Sequence, residues 1–248
     1  MRTISLADAE LLKAYANIRY PVVPYTWETA PAAAGNTGLI VPITNVSSSG
    51  YDLFVSDGTR LRAVSGSVEI AVWVTRVVVN TASSNEASGT TSSVLKIAIP
   101  TSATNGSLFG DGDIIRLELD HSRSSGGTGS TFRTLYLGTH PTNPLSNTLI
   151  NRNTNGSTTN LYVTEEPSFV RVNSTTIQPI GRRSLDQRSA PSATGIYNSV
   201  DDRVTGISSI DAATMYLDVT MGHVSNVAET VQLEYARVVL YTCGPVTG

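Results

Sequence analysis

The alternation of apolar and polar residues between positions 38 and 241 constrains the fold of this chain more than any other feature. Side chains of a β-strand point alternately to opposite faces, so a period of two indicates strands buried on one side. Residues 114–120 show the pattern most clearly, because Ile115, Leu117 and Leu119 alternate with charged residues. Such segments recur about every 8–12 residues between polar loops, which predicts an all-β antiparallel sandwich.

Individual segments refine this prediction. Residues 68–79 are rich in valine and include Trp73, which favours one long strand that is buried on both faces or bent midway. Asp57-Gly58 and Asn155-Gly156 are typical hairpin turns, so each is expected to connect two paired strands. Residues 181–211 are polar, and we expect a loop there with one short strand near Ile196.

The first 35 residues differ from the rest of the chain. Ser5 can cap a short amphipathic helix over residues 6–17. Residues 19–27 contain two prolines and therefore favour an extended strap that cannot serve as a central strand. Residues 31–35 are typical of a linker. We accordingly divide the chain into a helix and attachment arm, 1–35, and a sandwich domain, 36–248.

The arm concentrates large apolar side chains in a chain with few aromatic residues, and these need a surface that buries them. That surface is either the chain's own sandwich, a neighbouring subunit or another docking protein. The candidate attachment residues are Leu11, Tyr15, Tyr20, Tyr25 and Trp27.

Charge and composition bound the partners. The 248 residues contain 17 basic and 20 acidic side chains, with a net charge of −3 and no basic run, which argues against nucleic acid as a partner. No apolar run approaches the ~18 residues that a membrane span requires, and the start of the chain does not resemble a signal peptide. Cys243 is the single cysteine, so the chain folds without internal disulfides, which suits assembly in the cytoplasm.

The basic residues are biased towards arginine, because only Lys13 and Lys96 are lysines. Arginine makes planar, bidentate contacts that suit subunit interfaces, so the bias favours oligomerisation. Codon usage in a GC-rich genome explains it equally well.

No motif predicts catalysis, a metal site or a cofactor. His121, His140 and His223 lie at strand ends or in loops, where surface histidines are expected. Asp111-Gly112-Asp113 could belong to a calcium loop, although a turn before a strand accounts for it as well. The adjacent acids in Glu165-Glu166 and Asp201-Asp202 would point to opposite faces of a strand, so neither pair forms a catalytic pair by itself.

Two segments resemble a jelly-roll domain of bacteriophage fibre, tail and head-decoration proteins. Residues 110–139, GDGDIIRLELDHSRSSGGTGSTFRTLYLGT, match its "GD" turn, "IRL" strand, polar loop and strand ending in Leu-Gly-Thr. Residues 215–240, MYLDVTMGHVSNVAETVQLEYARVVL, match its closing hairpin. The resemblance covers about half of the chain and implies a jelly-roll-like sandwich in an oligomeric virion component, with no catalytic residues to carry over.

The expected function is therefore a non-enzymatic structural component of a bacteriophage particle, most simply a homotrimer. A tail fibre, spike or adaptor protein that could also contact host-surface polysaccharide is favoured. The chain lacks the repeats of a long fibre shaft, which argues against a complete long fibre. A capsid decoration or head fibre protein is the alternative within this class. A free carbohydrate-binding module is the alternative from another class.

Overall fold

The computed structural model describes residues 24–73, 77–80, 93–124, 131–155, 160–180, 184–189, 204–207, 210–223 and 230–243. The helix predicted for residues 6–17 lies outside these ranges. Nearly all regular structure in them is β-strand, as the alternation predicts. The strands are β1 Ile40–Ile43, β2 Asp52–Ser56, β3 Leu61–Ala63, β4 Ser67–Trp73, β5 Val77–Asn80, β6 Ser93–Ile99, β7 Thr101–Ser102, β8 Gly106–Ser107, β9 Ile114–Ser124, β10 Thr131–Gly138, β11 Thr148–Asn155, β12 Asn160–Glu165, β13 Ser168–Asn173, β14 Thr176–Pro179, β15 Ser184–Ser189, β16 Met215–His223 and β17 Thr230–Tyr241.

Two antiparallel sheets form the sandwich. The four-stranded sheet has the order β11-β10-β16-β6. In the large sheet, β17 lies between β9 on one side and β4 and β5 on the other. β12 and β13 follow one another along the free side of β9, and they pair in turn with β15 and β14. The large sheet therefore consists of five rows, and several of its rows are interrupted strands.

The strand order is that of a jelly roll. If β4 with β5 and β12 with β13 are each counted as one strand, the sandwich has eight main strands in chain order. Neighbouring rows of the large sheet are then the first (β4 and β5), the eighth (β17), the third (β9) and the sixth (β12 and β13). The four-stranded sheet contains the second (β6), seventh (β16), fourth (β10) and fifth (β11). Successive strands thus cross between the sheets, and β14 with β15 adds a fifth row. This arrangement confirms the predicted fold class and gives it a specific topology.

The core lies between the sheets and continues into the N-terminal part of the chain. Ile115, Leu117 and Leu119 of β9 are buried in it, while Arg116 and Glu118 point outward, as their alternation predicts. The four-stranded sheet supplies Leu135, Leu217 and Val219 from the opposite side. One connected cluster of buried side chains results, which supports a single cooperative unit over the described residues.

Two sequence-based expectations about strand pairing are wrong. Asn155-Gly156 does not join a hairpin, because β11 pairs with β10 whereas β12 pairs with β9 in the other sheet. The segment that resembles a closing hairpin likewise places β16 and β17 in different sheets. Turn residues predict that the chain reverses its direction locally, but they do not predict which strand the next strand pairs with. In contrast, Asp57-Gly58 does connect the paired strands β2 and β3, with Gly58 at a φ of 94°.

Residues 181–211 also differ from the expected loop. β15 falls at Ser184–Ser189 in this segment and pairs with β12. Its composition is polar because it forms the outermost row of the large sheet, where burial is not required. Ile196, the expected position of a strand, lies outside the described residues.

A small N-terminal unit, residues 24–63, packs against one end of the jelly roll. β1, β2 and β3 form its antiparallel sheet. Residues 24–39 precede that sheet, and Tyr25 makes an isolated parallel bridge to Ile43. The described end of the predicted arm is thus part of a folded unit.

Candidate functional site

Trp27, a candidate attachment residue, lies in the chain's own core. Its side chain is 1% exposed and packs edge-on against Phe54, with ring centroids 5.6 Å apart. The indole Nε1–H donates a hydrogen bond to the carbonyl oxygen of Gly106, at 2.8 Å. Attachment of Trp27 to a foreign surface is therefore wrong. The alternative that the chain's own sandwich buries it is the one that the structure shows.

Two asparagines hold the segment around Trp27 in place. The Oδ1 atom of Asn45 accepts the backbone N–H of Trp27 at 2.7 Å. Asn105 binds the backbone of residues 30–33, since its Oδ1 accepts from Ala33 and its Nδ2 donates to Ala30 and Pro31. Ala30 and Ala33 are themselves buried. The segment 31–35 is thus anchored at Ala33 rather than free along its length, and the hydrogen bonds of Asn105 connect residues on both sides of the predicted linker's start.

Tyr25 is the candidate arm residue that the structure places at the surface, where its side chain is 39% exposed. Leu39 and Ile40, at the start of β1, are exposed to nearly the same degree. These three residues, called the exposed apolar group, are spread along the N-terminal unit, because Tyr25 bridges to Ile43 at one end of β1 and Leu39 and Ile40 lie at the other end. Of the three, Tyr25 lies next to the point where residues 1–23 join the fold, and it contacts β1 through Pro42 and Ile43. Leu11, Tyr15 and Tyr20 lie outside the described residues.

A charged cluster lies between the two sheets. Arg133 of β10 is 1% exposed, and its guanidinium contacts both carboxylate oxygens of Glu165 on β12, with Nε 2.7 Å from Oε1. Arg133 Nη1 also donates to Oδ1 of Asn151, and Nε2 of His121 lies 2.9 Å from Oε1 of Glu165. Burial raises the pKa of Glu165, but Arg133 and His121 outweigh it and bring that pKa well below its usual range.

This cluster joins the sheets and is closed to solvent, so its geometry favours a structural role. His121 is buried, which makes the expectation of a surface histidine wrong for this position. The sequence carried a usable signal, because Arg133 alternates in phase with Leu135 and Leu137 and both of these are buried. A basic side chain on the same buried face of a strand as leucines needs an acidic partner, which indicates a buried ion pair. His140 is exposed as expected.

The two acids that flank Gly112 bind separate arginines. Asp111 Oδ1 lies 2.7 Å from Nε of Arg171, and Asp113 Oδ2 lies 2.5 Å from Nη2 of Arg60. Asp113 is fully buried, and desolvation raises its pKa despite the opposing charge of Arg60. The pair therefore supports the turn rather than the calcium loop. Arg60 and Asp113 also connect the N-terminal unit to the jelly roll.

Other acidic and nucleophilic candidates are likewise engaged. Glu166 binds Arg116, whereas its neighbour Glu165 belongs to the buried cluster, so the two carboxylates serve different partners. Cys243 is half-buried, and desolvation raises the pKa of its thiol, which disfavours the reactive thiolate. Within the described ranges, no group of three or more His, Cys, Asp or Glu side chains is arranged to hold a metal ion. No helix in those ranges is long and apolar enough to cross a membrane.

Comparisons with known proteins give only distant similarities. No protein-family model matches the chain, and no curated protein matches its sequence. One similar structure is the CBM2 module of the evolved Dit protein of Lactobacillus casei BL23 phage J-1. The alignment covers 60% of this chain and 70% of the module, at 9% identity and a TM-score of 0.27. Another is a β-1,3-glucanase from Mycobacterium marinum, whose alignment covers 84% of this chain and 94% of the enzyme, at 9% identity and a TM-score of 0.23. At these TM-scores neither structure supports an argument about function.

Proposed function

We propose that this chain is a non-enzymatic structural subunit of a bacteriophage particle. Its jelly-roll topology is shared by viral capsid proteins, although lectins and cupins use it too, so the fold alone does not decide. The two segments that resemble phage jelly-roll proteins form β9, β10, β16 and β17, which are inner strands of both sheets. The resemblance and the topology therefore concern the same part of the chain.

The observation that carries the proposal is the exposed apolar group, Tyr25, Leu39 and Ile40. Exposed large apolar side chains are among the features that mark interaction sites. Tyr25 lies beside residue 24, and the preceding segment contains Leu11, Tyr15 and Tyr20. Residues 1–23 and this group together form the attachment region, which replaces the longer arm that the sequence indicates.

Within the particle, a tail fibre, spike or adaptor position fits a compact subunit that carries an attachment region at one end. The subunit is a homotrimer that assembles in the host cytoplasm and contacts other virion proteins. A capsid decoration or head fibre protein would use the same attachment region on a different neighbour. Particles that lack tails separate these positions, because they retain a decoration protein and lose a tail protein.

The attachment region is tested by competition during assembly. Infected cells express a tagged copy of the chain beside the native protein, and the tagged copies per purified particle are counted. We expect deletion of residues 1–23, or the change Ile40→Ser, to lower incorporation several-fold. Val72→Ser is the matched control, because Val72 and Ile40 are equally exposed, at 38%, and Val72 lies on the large sheet. Incorporation of both altered chains at the level of the parent would contradict the proposal.

A further inference from the structure

The outer face of the large sheet combines tyrosines with hydrogen-bonding side chains. Tyr162 of β12 is 36% exposed and lies directly across from Ser122 of β9. Tyr235 of β17 lies directly across from Asp120, which is two residues before Ser122 and points to the same side. The tyrosines thus occupy the rows on either side of β9. With strands ~4.8 Å apart and ~3.3 Å per residue, their backbones are about 12 Å from one another.

Polar side chains fill the space between and beside the two rings. Oγ of Ser122 donates to Glu234 at 2.5 Å, and Oγ1 of Thr164 donates to Asp120 at 2.7 Å. Arg237 lies 2.7 Å from Glu69 and 3.4 Å from Glu118. These groups are held in place by one another while remaining partly exposed, so hydrogen-bonding atoms are preorganised at the surface.

Two side-chain atoms of the described residues on this face lack a hydrogen-bond partner, Nε of Arg116 and the side-chain oxygen of Gln232. Gln232 lies directly across from Ser122 and is 4% exposed. Within the described part of the chain, its side-chain oxygen has no hydrogen-bond donor. A buried acceptor without a partner is unfavourable, so a hydroxyl that reaches it from the surface would be bound favourably.

We propose that this face, centred on Tyr162, Ser122, Asp120 and Tyr235, binds a neutral polysaccharide. A sugar ring presents an apolar face that an aromatic ring can cover, together with hydroxyls that both donate and accept hydrogen bonds. The tyrosines supply the rings, and the fixed polar groups between them supply the hydrogen-bonding partners. The separation of the two tyrosine backbones suits a chain of several sugar units that crosses β9.

The charges on the face favour a neutral ligand. Acidic side chains outnumber basic ones among its described residues, and the arginines are paired with carboxylates. An anionic polymer would therefore be repelled, and the two arginines whose side chains are described on this face, Arg116 and Arg237, are each paired with a carboxylate. The acids are Glu69, Glu118, Asp120, Glu166 and Glu234, and the basic residues are Arg116 and Arg237.

The same charges argue against a second copy of this chain as the occupant. The centres of protein interfaces are depleted in Glu and Asp, whereas this face carries them between its tyrosines. Two such faces brought together by symmetry would also place like charges opposite each other.

This inference deepens the proposed function by giving the host-surface contact a site, and it is tested with the purified full-length chain. Native gels contain one neutral polysaccharide each: a β-glucan, an α-glucan, a mannan or a galactan. Alginate serves as the anionic control. We expect at least one neutral polymer to retard the protein and alginate not to do so. Tyr162→Ala and Tyr235→Ala should each raise the apparent dissociation constant about tenfold, the loss expected for one aromatic contact.

Tyr25→Ala is the matched control, because Tyr25 is as exposed as Tyr162 but lies in the N-terminal unit. It should leave polysaccharide binding unchanged while lowering incorporation into particles, and Tyr162→Ala should do the reverse. The two proposals can therefore fail separately. Unaltered migration in all four neutral gels overturns the polysaccharide site. So does a Tyr162→Ala variant that changes the oligomer mass in light scattering, because the face would then be a subunit interface.

Discussion

At the scale of single residues, two buried side chains fasten separate parts of the fold together. Trp27 joins the N-terminal unit to the β7–β8 hairpin through its indole hydrogen bond to Gly106. Arg133 joins the two sheets through Glu165. Both were visible in the sequence, but their roles depend on contacts with residues 79 and 32 positions away along the chain.

Replacing Trp27 with Ala should destabilise the protein by about 3–5 kcal/mol, since a large buried side chain is exchanged for a cavity. Urea unfolding, followed by circular dichroism, measures the change. Tyr25→Ala serves as the control and should change the free energy of unfolding by less than about 1 kcal/mol, because Tyr25 is exposed. Equal effects of the two changes would contradict the burial of Trp27.

Glu165→Gln should destabilise the protein by about 3–5 kcal/mol at neutral pH, because Arg133 is left buried without a counter-charge. Glu166→Gln is the adjacent control. It breaks a more exposed pair with Arg116 and should cost less than about 1 kcal/mol. The free energies of unfolding of both variants are compared with that of the parent in urea.

The Glu165→Gln effect should also depend on pH. The pKa of Glu165 is lower in the folded chain than in the unfolded chain, so ionised Glu165 stabilises the fold above the unfolded pKa of about 4.3. This stabilisation is lost as the pH falls through the folded pKa. The stability difference between the parent and Glu165→Gln should therefore shrink from about pH 5 downward. A difference that stays constant down to about pH 3 would show that Glu165 is not the ionised partner of Arg133.

At the scale of elements, the sequence predicts strands well and their partners poorly. Alternation identified β9 and its inward side chains, because burial of one face imposes a period of two. It could not assign β11 and β12 to different sheets, since Asn155-Gly156 specifies a turn and pairing depends on the whole topology. β15 was missed because an outer strand does not need an apolar face.

The proposed polysaccharide-binding face of the large sheet could likewise be predicted only in part from the sequence. The outward direction of Asp120 could be predicted from the phase of β9. Its proximity to Tyr235 could not, because β17 contains a bulge between Leu233 and Tyr235 that shifts the register. Of the candidate arm residues, the structure shows Trp27 buried in the chain's own core and Tyr25 at the surface, and the sequence pattern could not distinguish the two.

Truncation tests the boundary of the N-terminal unit. Removing residues 1–23 should leave a soluble protein with a melting temperature close to that of the parent. Removing residues 1–35 should lower the melting temperature strongly or cause aggregation, because it deletes Trp27, Ala30 and Ala33 from the core. Gel filtration and thermal melting of the two truncated chains make the comparison. A stable, monodisperse 36–248 fragment would support the boundary at residue 35.

At the scale of the whole molecule, the two proposed contact surfaces lie on different parts of the chain. The exposed apolar group lies in the N-terminal unit, whereas the proposed polysaccharide-binding face around Tyr162 and Tyr235 lies on the large sheet. Such a separation lets one subunit attach to a particle and contact a host surface at the same time. Repetition of the subunit would strengthen weak contacts to a polysaccharide through multivalency.

Oligomerisation follows from this account. We expect light scattering of the purified chain to give three times the chain mass of 26.3 kDa. The resemblance to oligomeric phage proteins and the bias towards arginine motivate this expectation, because planar arginine contacts suit subunit interfaces. A monomer that persists at micromolar concentration and adds to particles one copy at a time would contradict the trimer.

The most direct test of the central claim is quantitative mass spectrometry of purified, intact particles. If the chain is a structural subunit, its peptides should sediment with the particles through a density gradient, at a fixed copy number relative to the major capsid protein. That copy number should be a multiple of three. Peptides found only in the soluble lysate, and absent from particles of full infectivity, would contradict the account.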